Sequence, residues 1–88
     1  MEERFFPREV TGHIPRITMV GNEVLHVEQH NGLAIYQPDT ILFRSSIGQI
    51  RVTGEKLRFQ TYSSQEASVT GVIDSVVMEY GAKGGAAR

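Results

Sequence analysis

Alternation of apolar and polar residues, broken at short intervals by turn-forming pairs, governs most of this 88-residue chain. Ile17 and Met19 alternate with Arg16 and Thr18, and Leu25 and Val27 with His26 and Glu28. Leu33 and Ile35 follow the same rule, then Ile41 and Phe43 before Arg44, and Ile50 and Val52 between Gln49, Arg51 and Thr53. Leu57 and Phe59 alternate with Arg58 and Gln60, and Val69 and Ile73 carry the pattern to the end. Successive side chains of a strand point to opposite faces, so each run has one apolar and one largely polar face. No window of 11 residues keeps its apolar positions at the three-and-four spacing of a helix.

Turn chemistry separates the runs. Gly21-Asn22 and Asn31-Gly32 supply the positive-φ residues of tight hairpins, and Pro38-Asp39 and Gly54-Glu55 break the chain again. Ser45-Ser46 with Gly48 reads as a bend or bulge, and Ser63-Ser64-Gln65-Glu66 as a longer loop. The chain is therefore expected to be all-β, with about seven short antiparallel strands in a hairpin meander. Its apolar face needs covering, by a small sandwich or a barrel-like roll. A β-solenoid is the alternative, because Val-Thr-Gly recurs at Val10–Gly12, Val52–Gly54 and Val69–Gly71. One domain is expected over residues 14–80, after an N-terminal extension over 1–13 and before a flexible Gly/Ala tail over 81–88.

Composition narrows the functional classes. Nine Lys+Arg against 10 Asp+Glu give no basic excess for a nucleic-acid or membrane-surface binder. The absence of cysteine excludes a disulfide scaffold, a thiolate zinc site and a cysteine nucleophile. No apolar run approaches the length of a transmembrane helix, and Met1-Glu2-Glu3 opens acidic where a secretory signal opens basic. A cytosolic protein is the expectation.

Candidate chemistry is sparse. His26, Glu28 and His30 stand two residues apart, so an extended chain would place them on one face as metal ligands, with His13 the further histidine. The bland alternative is a solvated strand face, and neither a metal nor another cofactor is expected. None of the serines lies in a nucleophile elbow, and Asp39 and Asp74 stand apart, so the chain is not expected to be an enzyme. Arg16, Arg44, Arg51 and Arg58 share the polar face with Tyr36 and Tyr62, as in small barrels that bind single strands. Cross-strand pairing with carboxylates explains the same arginines. Val24, Tyr36, Leu42, Tyr62, Val72 and Val76 give that face a large apolar share, which fits a protein contact patch or the second layer of the domain's own sandwich.

Order and spacing of several segments carry a resemblance. Ile14-Pro15-Arg16-Ile17-Thr18-Met19-Val20-Gly21, Val27-Glu28-Gln29-His30-Asn31-Gly32, Tyr36, Ile41 to Arg44, Ser46-x-Gly48, Val52-Thr53-Gly54 and Val69-x-Gly71-x-Ile73-x-Ser75-Val76 together resemble the YabP/YqfC family of sporulation proteins. The opening Pro-Arg-Ile-Thr-Met is closer to the YqfC branch, and Gln29 stands where the family carries asparagine. The resemblance spans roughly residues 14–78. It implies a non-enzymatic protein of endospore formers, made in the mother cell and needed to build the spore envelope. It also implies docking on a sporulation membrane protein encoded nearby, at the forespore surface. Glu28, His30, Gly32, Tyr36 and Arg44 would then present the contact. A self-assembling β-protein, adding strands at uncovered edges to make a homo-oligomer, is the second reading. A nucleic-acid-binding barrel is the third.

Overall fold

The computed structural model describes residues 14–81. They form six strands: β1 (Arg16–Val20), β2 (Val24–Glu28), β3 (Leu33–Gln37), β4 (Thr40–Ser45), β5 (Gly48–Tyr62) and β6 (Glu66–Tyr80). All pairings are antiparallel within one sheet of order β1-β2-β6-β5-β4-β3. The all-β antiparallel expectation therefore holds. The solenoid does not, because stacked rungs pair in parallel.

Two details differ from the sequence reading. The strands expected around Ile50–Val52 and Leu57–Phe59 are one 15-residue strand, β5, paired along its length with the equally long β6. Gly54-Glu55 is a crease inside that strand, which lowers the strand count to six. Asn31-Gly32 also makes no hairpin, since β2 pairs with β1 and β6 while β3 pairs with β4. The segment after Glu28 crosses from one part of the sheet to the other.

The crease has a register signature. Pairing runs Thr53 with Ser75, then Gly54 with Ile73, so Asp74 is an extra residue on β6. It then runs Glu55 with Val72 and Arg58 with Thr70, so β5 carries an extra residue too, where Lys56 has φ 54°. Such bulges bend strands and increase their twist. The two internal Val-Thr-Gly copies end at Gly54 and Gly71, and those glycines lie on the two strands at the crease. At Gly71, φ is 130°, a backbone region reserved for glycine.

Folding about this line lays one half of the sheet on the other. β1, β2, the start of β6 and the end of β5 form one half, and β3, β4 and the remainder of β5 and β6 the other. Leu25 and Val27 of β2 share one buried cluster with Ile41 and Phe43 of β4, although the two strands exchange no ladder bonds. Ile50, Val52, Leu57, Ala67, Val69 and Ile73 complete it. The result is a sandwich-like roll in which β1 and β3 are the outermost strands among the described residues. Turns brace the crease: the Gly54 amide donates to the Asp39 carbonyl (3.1 Å), that of Leu57 to Pro38 (2.8 Å) and that of Ile73 to Asn22 (2.9 Å).

Bulges also reassign faces. An irregularity between Leu33 and Ile35 turns Tyr36 toward the inner side, opposite Ile41, and Ile35 to the outer side, opposite Leu42. Leu42 is only 5% exposed and lies outside the main core cluster, in register with Arg51 on the outer face. Val76 packs against the core rather than on the polar face, because the extra Asp74 shifts the alternation. Val72 is exposed, as read. The N-terminal extension over 1–13 and residues 82–88 of the expected tail lie outside the described residues.

Candidate functional site

The β2–β3 crossover carries most of the residues singled out in the sequence. It leaves β2 at Gln29, whose φ of 67° breaks the alternation. The amides of Gln29 and His30 both donate to the Gln65 carbonyl (2.6 and 3.2 Å), tying the crossover to the start of β6. On the other side the Asn31 amide donates to the Arg44 carbonyl (2.7 Å), and the Arg44 amide to the Gly32 carbonyl (2.8 Å). Arg44 Nη1 donates to the Leu33 carbonyl (2.8 Å), while its side chain stays exposed. The crossover is thus a clasp between the two halves of the roll.

His30 is the bolt of that clasp. It is 1% exposed, and its Nδ1 accepts the Gly32 amide at 2.9 Å. An accepting Nδ1 places the proton of the neutral ring on Nε2, which is buried and has no hydrogen-bond partner. The ring lies 5.2 Å from Phe43 (tilted) and 5.2 Å from Tyr62 (stacked). This packing seats the ring in the core although its unpartnered donor is costly to bury. His30 is therefore enclosed within the roll, whereas the resemblance led to an expectation of a surface position. Gly32, at φ 121°, shapes the clasp.

Aromatic packing continues outward from His30. Tyr62 lies 4.9 Å from Phe59, which is 6.1 Å from Phe43 and stacks on Tyr36 at 4.6 Å and 15°. Tyr36 and Tyr62 remain 51% and 46% exposed. The arrangement is a ring shelf, with buried His30 and half-buried Phe59 fixing two rings that face solvent. Phe59, Phe43 and Gln65 are not candidate site residues in the sequence. Phe59 reads there as an ordinary apolar strand position, and Gln65 acts only through its backbone.

His26 and Glu28 lie apart from this shelf. His26 Nδ1 lies 2.8 Å from Ser68 Oγ and its Nε2 lies 3.9 Å from Glu28 Oε2, on the outer face of β2. The turn at Gln29 sends His30 inside, so the three candidate metal ligands do not converge. No metal-holding cluster occurs among the described residues, and His13 lies outside them. Arg16 and Glu28 are partners in the β1–β2 register. Arg51 Nε donates to Glu79 Oε2 at 2.7 Å across β5 and β6. That hydrogen bond, and then the carboxylate's charge, holds the Arg51 guanidinium above its ordinary value, so it stays charged at any working pH. A raised cation loses its contribution only above that already high range. Cross-strand pairing, rather than a basic groove, organises this arginine.

Comparison with known proteins bears on the same segments. The model of the YabP family matches residues 11–85, nearly the whole chain. The chain belongs to the YabP family. It is also 30% identical over 70 residues to the "Uncharacterized protein YqfC" of Bacillus subtilis, covering 80% of this chain and 75% of that protein. No solved structure matches. Within the YabP family pattern as this chain carries it, Glu28 to Gly32 build the clasp and Val52–Gly54 and Val69–Gly71 the crease. Tyr36 alone among the expected contact positions combines a large apolar ring with half-exposure.

Proposed function

We propose that this chain is a non-catalytic interaction module of spore-envelope assembly, docking on a sporulation membrane protein encoded nearby. It works from the mother-cell cytoplasm at the forespore surface. Membership of the YabP family and the relative in Bacillus subtilis support the sporulation setting. Among the described residues no helix is long and apolar enough to cross a membrane, which fits a protein that reaches the membrane through a partner. The observation that carries the docking reading is the ring shelf. Tyr36 and Tyr62 are held half-exposed by stacking on Phe59 and His30. Tyrosine rings pre-ordered in this way are characteristic anchors of protein interfaces.

A fluorescent fusion in its own sporulating host tests the reading. The intact chain is expected to ring the forespore. The Tyr36→Ser, Tyr62→Ser double variant is expected to spread through the mother cell while keeping a cooperative melting transition. A folded variant that still rings the forespore would remove the shelf from the docking surface.

A further inference from the structure

Asn31-Gly32, at the centre of the clasp, joins two residue types that invite deamidation. The carboxamide of an asparagine is open to attack by the amide nitrogen of the residue that follows it. Glycine has no side chain to obstruct that attack, and asparagine is a thermolabile residue that heat-adapted proteins avoid. Asn31 is exposed, and among the described residues its carboxamide has no hydrogen-bond partner. The attacking nitrogen is already engaged by a base. The Gly32 amide donates to His30 Nδ1 at 2.9 Å, and Nδ1 is the proton-accepting atom of the neutral ring. A general base works within about 2.6–3.2 Å of the atom whose proton it takes, and His30 meets that condition. Asn22, the other asparagine of the chain, supplies the contrast. It is followed by Glu23, whose amide donates to the Val20 carbonyl (3.2 Å), an acceptor that holds a hydrogen but does not remove it as a proton.

We infer that His30 drives deamidation of Asn31 within the folded chain, as a single event on its own backbone. His30 Nδ1 takes the Gly32 amide proton as that nitrogen bonds to Cγ of Asn31. The bond from Cγ to the side-chain nitrogen breaks, and that nitrogen leaves as ammonia with the proton His30 returns. A five-membered succinimide remains between the two residues. Water opens it at one of its two carbonyls, leaving aspartate or isoaspartate at position 31. Nothing is oxidised or reduced, and water is the one co-reactant. Either product adds a negative charge to the clasp, and isoaspartate also lengthens the main chain by one carbon before Gly32. The bonds from the Gly32 amide to His30 and from the Arg44 amide to the Gly32 carbonyl then fall out of line, so the reaction loosens the clasp. The inference is independent of the docking reading.

Peptide mapping by mass spectrometry of the full chain, held at neutral pH, reads aspartate and isoaspartate at position 31 against time. The same chain in urea gives the rate without the fold. Asn31 is expected to convert about tenfold faster in the folded chain than in the unfolded one. Asn22 is expected to show the reverse order, because the fold holds its neighbouring amide without supplying a base. His30→Asn keeps an oxygen that accepts the Gly32 amide but no atom that takes its proton. The folded variant is expected to lose the acceleration at Asn31. Thermal melting checks that it folds, and if it does not, the wild-type comparison decides alone. An Asn31 that converts no faster folded than unfolded overturns the inference. So does a folded His30→Asn variant in which Asn31 converts as fast as in the wild type.

Discussion

Gly71→Ala is expected to unfold the chain, or to lower its melting temperature by about 20 °C. At a φ of 130° any residue but glycine is strained, at a cost of about 1–3 kcal/mol. An added methyl would also lie 2.6 Å from the Lys56 carbonyl oxygen, 2.9 Å from that of Glu55 and 3.0 Å from Leu57 Cα. All three are backbone atoms, so relief requires β5 to move. Such overpacking adds about 1–3 kcal/mol. A total of about 4 kcal/mol is a large share of the roughly 5–15 kcal/mol that holds a domain together. It corresponds to about 20 °C at this chain length. Gly54→Ala is expected to behave alike, since its methyl would strike the Val72 carbonyl. Gly21→Asn is the control: nothing lies within 4 Å, and a φ of 55° suits asparagine. Thermal circular dichroism on the three variants decides it. A Gly71→Ala melt within a few degrees of wild type would show that the crease does not depend on these glycines.

The second large effect is expected at the clasp. His30→Ala removes a buried ring from between Phe43 and Tyr62 and leaves the Gly32 amide without its acceptor. Truncation of a buried ring costs about 3–5 kcal/mol, and the lost hydrogen bond about 1 kcal/mol more. His30→Asn separates the two contributions. Its side-chain oxygen can stand near the position of Nδ1 and accept the Gly32 amide, so it is expected to recover about 1 kcal/mol relative to alanine. Urea titration of both variants measures this. A His30→Ala variant within about 1 kcal/mol of wild type would mean that the ring is not a structural bolt. Loss of partner binding by such a variant would report unfolding rather than a lost contact, and for that reason Tyr36 and Tyr62 are the informative positions.

Much of the fold is legible in the alternation. Leu25, Val27, Ile41, Phe43, Ile50, Val52, Leu57, Val69 and Ile73 were all read as apolar-face residues, and all are buried together. What escapes alternation is any point where one extra residue changes the face. Gln29 takes a positive φ without being glycine, asparagine or aspartate, so nothing in its identity announces that His30 turns inward. The irregularity before Ile35 likewise moves Tyr36 from the expected polar face to the inner rim, where it stacks on Phe59. Gly54-Glu55 reads as a hairpin turn because glycine serves a turn and a crease equally well. Its distinguishing signal is the second Val-Thr-Gly ending at Gly71, a repeat produced by two strands bending together.

The same shifts explain why the candidate site was only half visible. Glu28, Gly32 and Arg44 belong to segments that fix the path of the chain, and their prominence in the pattern reflects that duty. The proposed contact surface depends instead on Phe59 stacking on Tyr36 and meeting Tyr62, which no local spacing encodes.

Affinity capture from sporulating cells with the intact chain as bait, after brief crosslinking, tests the docking reading most directly. The expected result is one membrane protein encoded nearby, recovered by the wild-type chain and lost with the folded Tyr36→Ser, Tyr62→Ser variant. Recovery of ribosomes and nucleic acid alone, or equal recovery of the membrane protein by both baits, would contradict it.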